Sequence, residues 1–381
     1  MTLFLGVTGT LCSGKGSFAK TIYKKFGALS LSTSDEVRAE TAERGLSLER
    51  ENLHKVANEC RAGRGADLFA VRCVNRIRQL PSLPSVVIVN DLRSLGEVDA
   101  LREAFGKDFY LVGVGASQAT RFNRVQSRRR AGEGERSFAE WKALDDKECR
   151  GGGVGVQSVA ACLAQADLVL FNDSTFEAFE RASVSLVSSL LRKQEVSAAE
   201  GVAVVGFAGF NAAGKTTACR LCQEEFGALC FSLSDEIRRE VLARGGELST
   251  RNLIDVGNEL RGKLGLGVLA ERVAGRIKRL GTGSYCIDAL FNPAEADALR
   301  KALPGFKLVF VGAPLEVRYA RFASRRREGD GLSLEEFRTM DAGQKSGGSA
   351  GQRIDDCRAA ADVVVENAGS EEEFAARCRS L

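Results

Sequence analysis

The sequence predicts an α/β protein built as a tandem duplication of one three-layer αβα domain with a parallel central sheet. Three observations predict this fold class. Short apolar runs alternate with amphipathic stretches of helical length, which is the pattern of parallel strands covered by helices on both faces. Two glycine-rich segments of the same design, at 9–17 and 209–217, lie 200 positions apart. The residues that follow each of them recur at almost the same spacing.

Each glycine-rich segment is expected to form a phosphate-binding P-loop. The first reads Gly-Thr-Leu-Cys-Ser-Gly-Lys-Gly-Ser and follows the apolar run 3–7, and the second reads Gly-Phe-Asn-Ala-Ala-Gly-Lys-Thr-Thr and follows the run 202–207. Glycines let backbone N–H groups curl round a phosphate, the lysine reaches the outer phosphates, and the next helix adds its positive N-terminal end. We therefore expect ATP to be bound by Gly9, Ser13, Gly14, Lys15, Gly16 and Ser17, and by Gly209, Ala213, Gly214, Lys215, Thr216 and Thr217.

The duplication extends far beyond the loops. Phe26 and Phe226 stand in identical Phe-Gly-Ala-Leu segments, again 200 positions apart. The spacing later falls to 195, between Asp167 and Asp362, as short loop deletions would produce. The chain therefore holds two homologous domains of about 190 residues, a size at which each can bury its own core. We place them at 1–193 and 201–381, joined by an exposed linker at 194–200.

Composition excludes several classes of protein. No apolar run reaches the roughly 18–20 residues of a membrane span, and the first strand begins too near Met1 to leave room for a signal or transit peptide. The 11 cysteines, an odd number, are typical of reduced thiols in a cytoplasmic protein. The single histidine, His54, excludes catalytic triads and multi-histidine metal sites, and a net charge of +4 is weak evidence for nucleic-acid binding.

Strands and helices are predicted to alternate along each repeat. Runs of Val, Leu and Ile mark the strands, and apolar residues at helical spacing mark the helices. The first repeat reads as a strand at 3–7, a helix after Lys15, helices at 36–44 and 52–80, a strand at 86–89, a helix at 95–105, a strand at 109–114, an arginine-rich helix, and a strand at 168–171. Ligands bind at the carboxyl ends of such strands, which is where the P-loop lies.

The end of the strand at 86–89 and its counterpart carry candidate magnesium ligands. The first repeat reads Asn-Asp-Leu-Arg at 90–93, and the second reads Asp-Ala-Leu-Phe at 288–291. An acid at this position orients Mg²⁺, and the P-loop hydroxyl after the lysine is a usual ligand. We expect Mg²⁺ ligands at Thr216 and Asp288 in the second repeat and at Ser17 and Asp91 in the first. The alternative, that these are ordinary polar residues leaving a strand, stays open.

The segments at 32–38 and 232–238 each open a helix with polar residues. They read Ser-Thr-Ser-Asp-Glu-Val-Arg and Ser-Leu-Ser-Asp-Glu-Ile-Arg. Serine and aspartate are common helix N-caps, so a capped helix with a solvated arginine is one interpretation. The first segment also resembles the Ser-Thr-Gly-Asp-x-x-Arg stretch of adenylate kinases, in which the threonine and arginine line the monophosphate site. That resemblance implies substrate contacts from Thr33, Asp35 and Arg38, and from Asp235 and Arg238. The segment at 90–93 resembles the Asp-Gly-Ile-Arg segment of kinase-like P-loop proteins, which implies a further phosphate contact from Arg93.

An arginine cluster follows the strand at 109–114 and recurs in the second repeat. Arginines at 121, 124 and 128 are spaced by three and four, which places them on one helix face. Segments rich in glycine and glutamate follow, as in an arginine-bearing lid that closes over polyphosphate and excludes water. A basic helix packed on an acidic surface, or a nucleic-acid patch, is the alternative. We expect catalytic roles for Lys15, Lys215, Arg121, Arg318, Arg128 and Arg325, with Asp145 and Asp341 as candidate lid anchors.

Taken together, each repeat resembles the nucleoside monophosphate kinase group of P-loop proteins. The residues that carry the resemblance lie at 233–238, 257–261, 287–288 and 292–295 in the second repeat, and at 58–59, 61, 92–94 and 97 in the first. The likeness is strongest to archaeal kinase-like proteins related to adenylate, cytidylate and dephospho-CoA kinases. It is also strong to the kinase-like domain of bacterial anti-phage deoxycytidylate deaminases, although the H-x-E and P-C-x-x-C motifs of zinc deaminases are missing from this sequence.

The resemblance implies a phosphotransferase that uses ATP and Mg²⁺ on a small acceptor such as a (deoxy)nucleoside monophosphate. Its partners would be small-molecule nucleotides, without a membrane. Two alternatives stay open: a nucleotide-sensing pair of pseudokinase domains that docks on a protein partner, and an ATPase that assists ribonucleoprotein assembly. Nucleic acid is disfavoured because the basic clusters are not interleaved with aromatic residues.

Overall fold

A computed structural model describes residues 1–128, 136–150, 158–195, 201–324, 333–345 and 352–379. The chain forms two compact units. Unit 1 comprises Met1–Gln194 together with Arg238–Leu253, and unit 2 comprises Glu195–Ile237 together with Ile254–Leu381. The stretch 238–253, which we placed in the second domain from its sequence, thus groups with unit 1. The boundaries 1–193 and 201–381 themselves stay a prediction.

The first repeat forms a five-stranded parallel sheet. Its strands are β1 (Leu3–Thr8), β2 (Leu29–Ser32), β3 (Val86–Leu92), β4 (Phe109–Gly115) and β5 (Leu168–Phe171), in the spatial order β2-β3-β1-β4-β5. Its helices are α1 (Lys15–Phe26), α2 (Thr33–Glu43), α3 (Arg50–Arg64), α4 (Leu68–Arg78), α5 (Leu95–Phe105), α6 (Gln118–Arg128), α7 (Phe138–Arg150), α8 (Val159–Gln165) and α9 (Phe176–Glu195). A short 3₁₀ turn at Gly106–Asp108 precedes β4.

The second repeat forms a sheet of the same design. Its strands are β6 (Val202–Ala208), β7 (Leu229–Ser232), β8 (Gly283–Leu290), β9 (Lys307–Gly312) and β10 (Val363–Glu366), in the order β10-β9-β6-β8-β7. Its helices are α10 (Lys215–Phe226), α11 (Leu233–Ala243), α12 (Thr250–Leu264), α13 (Val268–Leu280), α14 (Pro293–Ala302), α15 (Leu315–Ser324), α16 (Leu334–Lys345), α17 (Ile354–Ala359) and α18 (Glu371–Arg379). The predicted α/β tandem duplication with two parallel sheets is confirmed. The glycine- and glutamate-rich lid segments were predicted at 131–136 and 328–331, and all of these residues except 136 lie outside the described residues.

The central strands are buried over most of their length because helices cover both faces of the sheet. All seven residues of β4 are buried, and four of the six residues of β1 from Leu5 onward are buried in succession. β1 pairs with β3 on one side and with β4 on the other. The loop that follows β1 therefore lies at the middle of the sheet's carboxyl edge, where residues from both neighbouring strands can reach it.

Two predicted elements differ from the structure. The single helix expected at 52–80 is two helices, α3 and α4, because the chain turns at Gly65, whose φ of +108° no helix accommodates. Residues 194 and 195, which we expected in the linker, are the last two residues of α9. Strand β2 was missed: it has only four residues, and serines occupy two of them.

No helix among the residues that the structure describes is long and apolar enough to cross a membrane.

Glu40 joins three helices of unit 1 through one buried carboxylate. It lies on α2 and is 4% exposed. Arg72 of α4 donates to its Oε2 at 2.6 Å, and Arg44, at the end of α2, and Arg64 of α3 donate to its Oε1 at 2.9 and 3.1 Å. These hydrogen bonds, that from Arg72 above all, lower the pKa of Glu40 to about 2. The ionised form is thus strongly favoured in the folded state.

We predict that Glu40→Gln lowers the stability of the chain by about 1–3 kcal/mol at neutral pH, since a charged acceptor of three arginines is lost. A carboxyl whose pKa falls on folding contributes stability above its unfolded pKa and loses it as the pH drops. For Glu40 that window runs from the ordinary value of 4.5 down to about 2. Urea midpoints measured across this window should fall less steeply in Glu40→Gln than in the wild type. Glu43→Gln, at an exposed position of α2, is the control; an equal flattening there would contradict the assignment.

Candidate phosphate-binding sites

At two positions of each P-loop, the backbone has a conformation that favours glycine. Gly9 has φ +154°, and a Cβ there would lie 2.2 Å from the Val114 carbonyl oxygen of β4. Gly14 has φ +113°, and a Cβ there would lie 2.2 Å from Asn172 Nδ2. Gly209 and Gly214 repeat this arrangement, at φ +147° and +112°. The glycines thus hold the loop closed and also admit neighbouring atoms at close range.

The P-loop lysines are folded back onto their own loops. Lys15 Nζ donates to the carbonyl oxygens of Gly9 and Thr10 at 2.8 and 3.0 Å. Lys215 Nζ makes the same two bonds, to Gly209 and Phe210, at 2.8 and 3.0 Å. Burial lowers the pKa of Lys15, and the negative charge of Asp91, 3.6 Å away, acts in the opposite direction. Each ammonium group therefore lies inside its own loop and is bonded to two loop carbonyls. A bound phosphate would replace these carbonyls as its partners.

An asparagine that sequence reasoning missed fixes each loop. Asn172, just beyond β5, donates from Nδ2 to the Ser13 carbonyl at 2.9 Å, and Asn367, just beyond β10, donates to the Ala213 carbonyl at 2.8 Å. Both side chains are buried. The two asparagines lie 195 positions apart, as do Asp167 and Asp362. The shared spacing is the sequence signal from which these two asparagines could have been identified as equivalent residues.

The arginine cluster divides into residues with different surroundings. Arg121 is 1% exposed and donates to both carboxylate oxygens of Asp145 at 2.5 Å, and Arg318 is paired in the same way with Asp341. Arg121 also donates to the Leu11 carbonyl of the first loop at 3.3 Å. The structure thus pairs each of these two guanidinium groups with a buried carboxylate, and the catalytic role expected from the sequence stays a prediction.

The next arginine on the same face, Arg124, forms hydrogen bonds directly to the first loop. It donates to the Cys12 and Ser13 carbonyls at 3.3 and 3.4 Å and to the Asn172 carbonyl at 2.8 Å. Arg128, a predicted catalytic residue, lines the cavity described below. Arg325 lies outside the described residues, and its role stays a prediction.

The strand register identifies Asn90 as the counterpart of Asp288. Asn90 pairs with Ser32 across β2 and β3, and Asp288 pairs with Ser232 across β7 and β8. In unit 2, Thr216 Oγ1 donates to Asp288 Oδ2 at 2.9 Å. The two predicted metal ligands of this repeat are therefore in contact at the start of α10. A hydroxyl and a carboxylate are hard oxygen donors of the type that Mg²⁺ prefers, beside phosphate and water.

The predicted metal ligands of unit 1 are not brought together in this way. Asp91 has φ +64°, and its carboxylate accepts from Ser32 Oγ at 3.0 Å and lies beside Lys15. Burial would raise the pKa of Asp91, but Lys15 and Arg93 outweigh it and hold the pKa below its usual value. Within the part of the chain that the structure describes, no hydrogen bond joins Ser17 to Asp91, and no group of three or more His, Cys, Asp or Glu side chains is arranged to hold a metal ion.

A cavity of about 670 Å³ in unit 1 brings several predicted residues together. Predicted substrate contacts Thr33, Arg38 and Arg93 line it, as does Arg128. Residues that sequence reasoning did not assign complete the wall: Leu11, Ser34, Val37, Leu48, Glu49, Arg50, Leu53, His54, Ala57 and Arg61. Five arginines face one glutamate in this set, so the lining favours an anionic ligand.

Some predicted substrate residues have hydrogen-bond partners close by, and two others lie on α11. Thr33 donates from Oγ1 to the Asp91 carbonyl at 2.8 Å, which ties the start of α2 to the end of β3. Asp35 pairs with Arg38 at 2.6 Å on an exposed face, as a solvated helix start would. Asp235 lies in the first turn of α11, and Arg238 falls in the stretch grouped with unit 1. A role for these two in an acceptor site stays a prediction.

The chain is similar in sequence to several archaeal proteins. A UPF0200 protein of Thermococcus onnurineus is 35% identical over 186 residues, which cover 49% of this chain and 96% of that protein. One of Methanosarcina mazei is 35% identical over 45% of this chain and 89% of its own length. A UPF0200/UPF0201 protein of Archaeoglobus fulgidus is 34% identical over 47% of this chain, which spans about half (54%) of that relative. No protein-family model matches the chain.

Solved structures with a similar arrangement include P-loop kinases. Shikimate kinase from Acinetobacter baumannii, in complex with shikimate, is 18% identical over 48% of this chain and 93% of its own, with a TM-score of 0.33. A gluconokinase from Sinorhizobium meliloti is 16% identical over 47% of this chain and 90% of its own, with a TM-score of 0.29. Scores this low carry no argument about substrate or activity.

We predict that Gly14→Ala removes nucleotide binding at the first loop, because the added methyl group meets Asn172 and the backbone is strained. Gly16→Ala is the matched control, since a Cβ there has no neighbour within 4 Å. Calorimetric titration with ATP should show one binding site fewer in Gly14→Ala and an unchanged number in Gly16→Ala. Equal stoichiometry in both variants would contradict this account of the loop.

We also predict that Asp145→Ala destabilises unit 1 by about 3–5 kcal/mol, because Arg121 is left buried without its carboxylate. Asp146, the next residue of α7, pairs with Lys142 at 2.7 Å on a partly exposed surface. Asp146 also accepts from Gln118 Nε2 at 3.0 Å, so Asp146→Ala should cost about 1–2 kcal/mol, well below the loss in Asp145→Ala. Urea unfolding of the full chain measures both. A loss of less than about 1 kcal/mol in Asp145→Ala would favour a phosphate-facing role for Arg121.

Proposed function

The chain belongs to the UPF0200 family, and we propose that it is an ATP-dependent phosphotransferase of the kind that nucleoside monophosphate kinases exemplify. The contact between Thr216 and Asp288 carries the proposal. It places the hydroxyl that follows the P-loop lysine against the only acid that either repeat keeps at this strand position, which is the arrangement that a magnesium nucleotide requires. The metal-dependent chemistry is therefore assigned to unit 2.

Each residue of the second loop has a definite task in this proposal. Mg²⁺, when bound with ATP, would neutralise the phosphate oxygens and orient the γ-phosphoryl group. Thr216 would ligate the ion, and Asp288 would hold it directly or through water. Lys215 would leave the carbonyls of Gly209 and Phe210 for the outer phosphates. The backbone N–H groups of the loop and the start of α10 would hold the remaining phosphate charge.

The proposed acceptor is a small phosphorylated molecule such as a (deoxy)nucleoside monophosphate. In the first repeat, the arginine-lined cavity of about 670 Å³ suits an anionic ligand of nucleotide size, and the acceptor for unit 2 is proposed to bind at the homologous residues of the second repeat, Asp235 and Arg238 among them. Apolar residues in the wall of that cavity, Val37 and Leu53 among them, offer a surface for a flat or apolar group.

A second candidate function, nucleotide sensing, is favoured by one observation in unit 1. Gly16 and Asn90 occupy the positions that Thr216 and Asp288 occupy in unit 2. A loop that keeps its glycines and lysine but has neither metal ligand is suited to bind a nucleotide without transferring its phosphoryl group. The relatives are archaeal, as the resemblance predicts; the resemblance to the deaminase-associated domain stays a prediction.

We predict that ATP turnover with a panel of nucleoside monophosphates falls at least 100-fold in Lys215→Ala and less than tenfold in Lys15→Ala. The asymmetry follows because only the second loop has the metal ligands. Turnover is measured as ADP released and as phosphorylated acceptor formed, with equal amounts expected. Asp288→Asn, which copies the residue of unit 1, should lose turnover with Lys215→Ala. Nucleotide binding without acceptor-dependent turnover, or the reverse order of the two lysine variants, would overturn the proposal.

A further inference from the structure

The first P-loop does not fit the magnesium ion that its fold implies. Gly16 offers no hydroxyl, and Asn90 offers an amide where unit 2 has the carboxylate of Asp288. Asp91, one residue further on, is already held by Ser32 and by Lys15. A phosphate chain bound in this loop would need its negative charge balanced in another way.

Polar groups that unit 2 lacks surround the first loop. Within the described residues, the hydroxyls of Thr10 and Ser13 are buried, 4% and 0% exposed, and have no hydrogen-bond partner. Phe210 and Ala213 stand at the corresponding positions of the second loop. Buried hydroxyls without partners cost about 1–3 kcal/mol each unless a ligand or water satisfies them. Both hydroxyls belong to the loop itself, beside the place where a phosphate binds.

A neutral amide at position 90 points to the same ligand. An amide offers N–H donors to a phosphate and, unlike a carboxylate, does not repel it. The amide therefore removes a metal ligand and, with it, one negative charge that would repel a phosphate bound without metal.

A fixed cation accompanies these changes. Arg93 lines a small cavity together with Gly9, Thr10 and Leu11 of the loop, and its charge acts on both Lys15 and Asp91. The corresponding residue of unit 2 is Phe291, whose ring lies 5.5 Å from Lys215 Nζ. Lys15, Arg93 and Asp91 leave the first loop with a net positive charge, whereas Lys215 and Asp288 cancel until a metal ion binds.

We propose that the P-loop of unit 1 binds the polyphosphate chain of a nucleoside triphosphate without a divalent metal ion. The hydroxyls of Thr10 and Ser13 donate to the phosphate oxygens, and Arg93 supplies the positive charge that Mg²⁺ supplies in unit 2. The chain thus carries one metal-dependent and one metal-independent nucleotide site. Occupancy of the first then reports nucleotide concentration irrespective of free Mg²⁺.

The test is calorimetric titration of the full chain with ATP, once with excess Mg²⁺ and once with excess EDTA. We expect two sites with Mg²⁺ and one with EDTA. The EDTA-resistant site should disappear in Lys15→Ala and persist in Lys215→Ala. Loss of both sites in EDTA would overturn the proposal, and so would an EDTA-resistant site that depends on Lys215 instead of Lys15.

Two further variants test the assigned residues. Thr10→Val/Ser13→Ala should weaken binding in EDTA at least tenfold while leaving the Mg²⁺-dependent site unchanged; Ser30→Ala, at an exposed position of β2, is the hydroxyl control. Gly16→Thr/Asn90→Asp installs the ligand pair of unit 2, and a Cβ at Gly16 meets no atom within 4 Å. In that variant binding at the first loop should become Mg²⁺-dependent. If EDTA-resistant binding survives both double variants unchanged, the inference is wrong.

The result is separable from that of the proposed phosphotransferase. EDTA-resistant binding is a property of unit 1 and is measured without turnover, whereas phosphoryl transfer is read from the dependence on Lys215. Transfer without an EDTA-resistant site would leave the proposed function standing and remove this inference. An EDTA-resistant site without transfer would support this inference and contradict the proposed function.

Discussion

Each phosphate-binding loop is held closed by a buried asparagine amide that arrives from the outer strand of its sheet. The amide of Asn172 reaches the Ser13 carbonyl at 2.9 Å, and Asn367 does the same for Ala213. This bond requires glycine at position 14, because a side chain there would occupy the place of the amide. Once the loop is closed, the lysine can fold onto the carbonyls of Gly9 and Thr10 and α1 can begin. The sheet order β1-β4-β5 is what brings the asparagine within reach.

The two repeats keep this scaffold and differ in the side chains that would face phosphate. Both have the same strand order, the same glycine conformations and the same lysine bonds. They diverge where a metal ion would bind, at Gly16 against Thr216 and at Asn90 against Asp288. Backbone geometry tolerates few changes because buried atoms fill the space around the glycines, whereas residues that contact only ligand can change without cost to the fold. The two loops thus share a backbone and differ in the side chains at these two positions.

Helical spacing identified the arginine face but not its surroundings. Arg121, Arg124 and Arg128 lie on one side of α6, as their spacing of three and four predicts. Arg121 is buried against Asp145, Arg124 holds the loop carbonyls, and Arg128 lines the cavity. Helical spacing shows which residues share a face. The partner of each residue depends on which neighbouring element packs against that part of the helix. Asp145 and Asp341, which we expected as candidate lid anchors, are both buried and paired with Arg121 and Arg318.

The sequence by itself determined the α/β class, the duplication, both P-loops and the Thr216–Asp288 pair. These depend on local requirements: glycine where φ is positive, apolar runs where strands are buried, and an oxygen donor beside the loop lysine. Only the tertiary structure decided that α3 and α4 are separate, that Asn172 closes the loop, and that Thr33, Arg38 and Arg93 line one cavity. The bond from Asn172 joins residues 159 positions apart. No local pattern encodes such a contact, because it exists only after the strands have taken their order in the sheet.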